Sequence, residues 1–241
     1  MTDRPILFSG PMIRALLEGR KTQTRRILKP QPPADMGLVG VYAPALTAVF
    51  GYVTPDADFK VPLRYMPGVR LWVRESLADT GNGVGYVADG TVDPSAVWAW
   101  KRGYLPSIHM PRGLSRLTLI VTDVRVQRLQ EISEADAKEE GAGSHPCGGC
   151  GEKNPDGRCI GCLHPFHTNG FQVLWDSLNA KPRPRYGDDG KVTHYESFPW
   201  GGESVTETYR GKPHHIHANP WVAALTFNVI RQNIDAMGEA E

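Results

Sequence analysis

Gly19-Arg20-Lys21-Thr22-Gln23-Thr24-Arg25-Arg26 gathers an amine, hydroxyl groups and fixed positive charge into one short stretch. Those are the components of a small hydrolytic centre or of a nucleotide clamp. An amine relieved of its proton can act as a base, and a nearby hydroxyl can then attack. An arginine can hold a developing oxyanion or a phosphate. The first 30 residues carry seven Lys/Arg against two acids, Asp3 and Glu18, while the whole chain has a formal net charge of +1. The positive charge is therefore local, and a solvated basic face accounts for it as well as a binding site does.

The four cysteines make a separate statement. Cys147-Gly-Gly-Cys150 and Cys159-Ile-Gly-Cys162 are two C-x-x-C pairs, the arrangement in which tetrahedral zinc takes four thiolates. Glycine after Cys147 suits a knuckle whose backbone N–H groups bond the thiolate sulfurs. A disulfide pair and unliganded thiols are the alternatives, the former opposed by a reducing compartment. A closed set of four ligands leaves no open position, so the expected zinc is structural rather than catalytic. His145, His164 and His167 are alternative ligands, and His214, His215 and His217 a second set for which a solvated loop is the plainer account.

The elements that must position these residues follow from periodicity. With 241 residues, 40% of them apolar and 22% charged, the chain can bury a full core as one elaborated domain, residues 1–241. Ser9 and Pro11 open a helix with Met12, Ile13, Leu16 and Leu17 at helical spacing, and Gly19 closes it. Lys21 then sits just past a helix end. Val69, Leu71 and Val73 alternate with Arg70, Trp72 and Arg74, which predicts a strand with Trp72 on the face opposite the apolar residues. The run Leu117 to Leu129 predicts another, whose apolar phase slips across Thr122-Asp123 and so calls for a bulge or sharp bend. Ser133 and Asp136 predict a short, capped acidic helix through Glu140, ended by Gly141. Phe171, Leu174, Trp175 and Leu178 predict an amphipathic helix, and Trp221, Ala223, Leu225, Phe227 and Val229 a closing strand.

Between these elements lie stretches without sustained period, expected as insertions at about 31–60, 79–103, 144–165 and 180–218, the last of them irregular. Trp98 and Trp100 are the expected anchors of the second. Ile6 to Phe8 is too short for a signal peptide and no stretch approaches a membrane span, so the expected location is the cytoplasm, with no membrane partner. Strands separated by short helices predict an α+β fold around a small, bent sheet.

These motifs resemble a known family. Gly19-x-Lys21-x-x-Thr24-x-Arg26 is similar to the G-x-K-x-x-T-x-R signature of the ASCH domain, a branch of the PUA-like superfamily of small β-barrels. Pro5-Ile-Leu-Phe-Ser-Gly-Pro11, Leu71-Trp-Val-Arg-Glu75, Pro106-Ser-Ile-His-Met-Pro111, Val121-Thr-Asp-Val-Arg125, Leu129-Gln-Glu-Ile-Ser133, Leu174-Trp-Asp-Ser-Leu-Asn179 and Asn219-Pro-Trp-Val222 resemble ASCH-domain proteins of phages and prophages. The resemblance implies a small bent β-barrel of PUA-like type with short helices, long loop insertions and the zinc knuckle outside the minimal domain. It also implies the cytoplasm of a bacterial host as the setting.

Some small ASCH proteins are amidohydrolases that remove the acetyl group of N4-acetylcytidine, using the Lys and Thr of the signature with a Glu from the helix after the central strand. By that resemblance the catalytic residues are Lys21, Thr24 and Glu140, with Glu139 as the alternative to Glu140. A threonine hydroxyl attacks only when a base takes its proton, and a lysine serves only when burial or neighbouring charge, here Arg25 and Arg26, disfavours its ammonium form. A carboxylate can pass the proton to the departing amine, and an arginine or backbone N–H can hold the oxyanion.

The alternative is a non-catalytic binding module for RNA, or secondarily DNA, or for a nucleoside. Arg25, Arg26, Arg74, Arg112 and Arg116 would supply charge, Trp72 a stacking face and Glu75 an acceptor for an exocyclic amine. Core packing is an equal reading of Trp72. A ribonuclease using Lys21 and Glu140 ranks third.

Overall fold

The computed structural model describes residues 3–33, 35–42, 46–51, 58–143 and 166–237. The fold class is α+β with strands dominant. The chain opens with β1 (Arg4–Leu7), α1 (Gly10–Leu17) and β2 (Gln23–Ile27). A three-stranded sheet of β3 (Gly37–Tyr42), β4 (Thr47–Gly51) and β5 (Phe59–Pro62) follows. After β6 (Arg70–Arg74) comes a small sheet made of β7 (Leu77–Asp79), β8 (Val84–Tyr86), β9 (Val92–Asp93) and β10 (Tyr104–Leu105). Next are β11 (Thr118–Arg128), α2 (Glu134–Glu139) and α3 (Phe166–Asn179). A further sheet holds β12 (Arg183–Tyr186), β13 (Val192–Ser197), β14 (Val205–Tyr209) and β15 (Lys212–Ile216), and β16 (Trp221–Ile230) follows it.

The main sheet has the order β1-β6-β11-β16-β2, and no closed barrel is present among the described residues. No helix among them is long and apolar enough to cross a membrane. The chain divides into two compact units, one of Met1–Thr24, Tyr65–Val124 and Leu225–Glu241, the other of Arg25–Arg64 and Arg125–Ala224.

In the first unit β1 runs parallel to β6, with Arg4 opposite Leu71, and β6 runs antiparallel to β11, with Trp72 opposite Thr118. Alternation on β6 buries Leu71 and Val73 while Arg70, Trp72 and Arg74 stay half-buried, the faces that its period of two predicts. Helix α1 ends in a Schellman motif: Gly19 takes φ +74, its N–H donates to the Leu16 carbonyl, and the Arg20 N–H donates to the Ala15 carbonyl. The Lys21 N–H reaches the same Ala15 carbonyl at 3.1 Å, so the helix end fixes the backbone of Lys21. At the other end Ser9 occupies the cap position, yet its hydroxyl makes no capping bond and Pro11 alone favours the start. The stretch 79–103 folds as strands around Leu77, Val84, Tyr86, Leu105 and Met110, against which Trp98 and Trp100 pack as anchors.

In the second unit Leu129, Ile132, Ala137, Ala142, Phe171, Trp175 and Val222 form one apolar cluster beneath α2 and α3. Ser133 caps α2 by accepting from the Asp136 N–H at 3.1 Å, and Gly141 follows the helix with φ +77, as the acidic pattern predicts. Trp175 is anchored at its polar end too, its indole N–H donating to the Phe198 carbonyl at 2.8 Å.

Two expectations need correction in this unit. Residues 180–218 are not irregular, because β12 to β15 form a sheet there. Most of its residues stay partly or fully exposed, so no apolar alternation marks it. Its signal lies in the turn: Arg210 at φ 51 and Gly211 at φ 71 join β14 to β15 by a two-residue hairpin of type I′. Likewise β3, β4 and β5 occupy part of 31–60, where Ala48, Phe50 and Val61 are buried.

The slip in β11 is present as a change of burial phase. Leu119 and Val121 are buried before it and Val126 after it, with Thr122 and Asp123 exposed between them. β11 stays one strand of 11 residues through that change.

Candidate functional site

Lys21 is among the largest fully buried side chains, with 0% exposure. Lysine is almost never buried to that degree without a purpose for its amine or a partner. It follows the Schellman turn of α1, and its Nζ lies 5.6 Å from the centroid of the Phe8 ring in the same unit. Three residues on, Thr24 is 3% exposed, and Gln23 beside it 4%. The Thr22 carbonyl accepts from the Phe227 N–H at 3.0 Å, which holds this part of the segment to β16. The G-x-K-x-x-T signature thus stands on fixed backbone with its amine and hydroxyl both withdrawn from solvent.

Arg25 and Glu140 belong to the second unit. The Arg25 side chain is 0% exposed and that of Glu140 2%, and Arg25 Nη1 donates to Glu140 Oε1 at 3.2 Å. Arg25 Nη2 donates to Asp136 Oδ2 at 3.0 Å, and Arg125 donates to the same carboxylate at 3.2 and 3.3 Å. The Phe171 ring lies under the Arg25 guanidinium at 5.8 Å. Asp136 and Glu140 are four residues apart and so share one helical face, which aims both carboxylates at one cation. Glu139 is exposed. Asp136 and Arg125 were legible only as a cap and a strand residue, although the i, i+4 acidic spacing is a signal that could have found the pair.

The other sequence-predicted residues lie as follows. Arg26 is half-buried on β2. Trp72 is half-buried on β6, with the Arg74 guanidinium 5.2 Å above its ring and an Arg74 N–H donated to the Ile108 carbonyl. Arg112 bridges Asp3 at 2.5 Å and Asp235 at 2.6 Å. Arg116 grips Glu75 with two hydrogen bonds of 2.8 and 2.9 Å, reaches Asp89 at 2.9 Å, and lies 4.1 Å over the Tyr86 ring. Arg112 and Arg116 thus direct donors at carboxylates of their own unit, and the sequence offered no local sign of Asp89 as a partner.

Burial is the main force on the titrations here. It pushes the Glu75 carboxyl above the usual range, against the opposing pull of the Arg116 pair. It raises the Tyr86 phenol to about 12. Burial also pushes Asp89 upward, but hydrogen bonds from Arg116 and Thr91 outweigh it and hold that carboxyl below its ordinary value.

Cys147, Cys150, Cys159 and Cys162, together with His145 and His164, lie outside the described residues. Of the remaining histidines, His167 Nδ1 is 2.9 Å from the Ala142 carbonyl. His214 is 3% exposed and sits between Glu207 at 3.0 Å and Ser197 at 2.9 Å. His215 meets Thr206 at 3.0 Å, and His217 stacks on Phe198 at 5.2 Å. Burial lowers the pKa of His217. Among the described residues no group of three His, Cys, Asp or Glu side chains is arranged to hold a metal ion.

Comparisons with family models, with curated proteins and with solved structures found no match to this chain.

Proposed function

We propose that the chain is an ASCH-type protein that binds a modified nucleobase or nucleoside and hydrolyses the amide of N4-acetylcytidine-like substrates. The observation that carries this reading is the complete burial of Lys21, three residues before a buried Thr24, in the spacing of the ASCH signature. A surface cation and a turn-capping threonine would both keep solvent contact. On the same reading the five-strand sheet is the elaborated counterpart of the small bent PUA-like barrel.

The reaction assigns one task to each side chain. The neutral Lys21 amine takes the Thr24 hydroxyl proton as the Thr24 oxygen bonds to the acetyl carbon, and the carbonyl electrons move to oxygen, where an arginine or a backbone N–H holds the charge. Collapse breaks the bond from carbon to N4, and a carboxylate, the part that the ASCH resemblance gives to Glu140, passes the proton to N4. Water then hydrolyses the threonine ester to acetate and restores the hydroxyl. Withdrawal of the amine and hydroxyl from solvent supports these roles, since a solvated ammonium is no base at neutral pH.

The test is incubation of the purified protein with N4-acetylcytidine, followed by chromatography. Cytidine and acetate appear with wild type and not with Lys21→Met, whose circular dichroism stays native. If wild type releases nothing yet binds the nucleoside or RNA, the protein is a binding module and the hydrolase reading is lost.

A further inference from the structure

A cavity lies in the first unit, away from the signature segment in sequence. Trp100, Lys101, Arg102, Tyr104, Pro106 and His109 line this cavity of about 510 Å³, within the range of about 300–1,000 Å³ typical of small-molecule clefts. Its walls are held in place. Trp98 meets Trp100 edge to face at 4.8 Å, and both pack on the cluster of Leu77, Val84 and Met110. The Trp98 indole N–H donates to the Arg102 carbonyl at 3.1 Å, which pins the turn bearing Lys101 and Arg102. Pairing of β10 with β7 buries Leu105 and turns Tyr104 outward at 50% exposure, and the Tyr104 hydroxyl donates to Ser76 at 2.9 Å.

The segment that lines this cavity carries charge of one sign. From Pro94 to Thr122 the sequence holds Lys101, Arg102, His109, Arg112 and Arg116 and no acidic residue. Arg112 and Arg116 are each committed to two carboxylates. Lys101 and Arg102 are exposed and have no carboxylate partner among the described residues. An apolar, aromatic wall with free cations at its rim complements a flat aromatic ring that carries its negative charge on an attached group. A nucleotide is built that way, and an unpaired one offers the face of its base.

We propose that this cavity binds an unpaired nucleotide of a single-stranded nucleic acid, with the base stacked on Trp100 or Tyr104 and the flanking phosphates on Lys101 and Arg102. The site is separate from the proposed hydrolytic residues, and its existence does not depend on that activity.

Fluorescence anisotropy with labelled twelve-nucleotide oligo(dT) and oligo(rU) tests it, the two arms separating DNA from RNA. Binding is expected to weaken about 5- to 150-fold in Trp100→Ala, the loss of one stacked base, and to be retained in Trp100→Phe. Because Trp100 also packs on the core, Lys101→Ala/Arg102→Ala is the second variant. Both its changes are at exposed positions, and it should flatten the slope of log affinity against log salt by about 0.7 for each phosphate released. That variant keeps full hydrolysis of free N4-acetylcytidine, so loss of this site and loss of the proposed reaction read out separately. The proposal is overturned if neither variant changes affinity, if the double variant leaves the salt slope unchanged, or if a perfectly paired duplex binds as well as the single strand.

Discussion

Arg25 and Glu140, 115 positions apart in sequence, form an ion pair at 3.2 Å in which neither side chain keeps more than 2% of its surface exposed. Such a pair gains little over a hydrophobic replacement, but removing one partner strands a buried charge. Asp136 offers Arg25 a second carboxylate, at 3.0 Å, and so limits that penalty.

Glu140→Ala is therefore expected to cost about 3 kcal/mol, the lower end for a broken buried pair, as read by urea denaturation. Glu140→Gln keeps an acceptor for Arg25 and should cost distinctly less. The two variants separate structure from chemistry: Glu140→Gln, folded and nearly as stable as wild type, should still release no cytidine. Full turnover in that variant would reduce Glu140 to an anchor for Arg25.

Arg116 offers a test with a pH sign. Glu75 is buried and is held by the bidentate Arg116, so Arg116→Ala leaves its carboxylate without that counter-charge at a cost of about 3–5 kcal/mol at neutral pH. Burial raises the folded-state pKa of Glu75, so the native state takes up its proton before the unfolded chain does. Stability from this group therefore rises as pH falls through that raised value. The deficit of the variant relative to wild type should shrink on acidification, and melting temperatures of both proteins from neutral pH down to mildly acidic pH will show it. A deficit independent of pH would mean that lost packing over Tyr86 dominates.

What the sequence revealed and what it hid divide along physical lines. Local chemistry was legible: Gly19 ends α1, Ser133 caps α2, and the period of two on β6 separates Leu71 and Val73 from Trp72. Burial of Lys21 and Glu140 was not legible, because each depends on partners distant in sequence. The same is true of Arg116, whose carboxylates lie 41 and 27 positions away. The sheet of β12 to β15 escaped for another reason: a strand exposed on both faces carries no apolar alternation, and only Arg210-Gly211 betrays the hairpin. Ser9 shows the converse, a residue of the right type in the right place whose hydroxyl makes no cap.

Glu134 links α2 to the start of α3. Its carboxylate accepts from the His167 N–H at 2.8 Å, the Thr168 N–H at 3.0 Å and the Thr168 hydroxyl at 3.0 Å. Burial opposes ionisation of Glu134, but these hydrogen bonds outweigh it and hold the pKa below the ordinary glutamate value. A depressed carboxyl contributes stability that is present above the unfolded-state pKa and lost as pH falls through the folded one. Glu134→Ala should cost about 1 kcal/mol, the value of a capping contact, at neutral pH. The difference from wild type should vanish in acid, below both values. Urea titrations at the two pH values measure it, and an equal deficit in acid would contradict a role for the charge.

The cysteine pairs lead to a last expectation. Two C-x-x-C pairs separated by eight residues have the spacing in which four thiolates take one tetrahedral ion, and the binding free energy of such a site is folding free energy. Protein purified without chelator should carry about one zinc per chain, measured by plasma mass spectrometry. Cys159→Ser should lose most of the metal and lower the melting temperature. Because four thiolates close the coordination shell, the rate of N4-acetylcytidine hydrolysis per folded molecule should stay at the wild-type level in that variant. Metal-free protein with four titratable thiols would remove the knuckle, whereas a zinc-dependent rate would show that the ion keeps an open position and takes part in the chemistry.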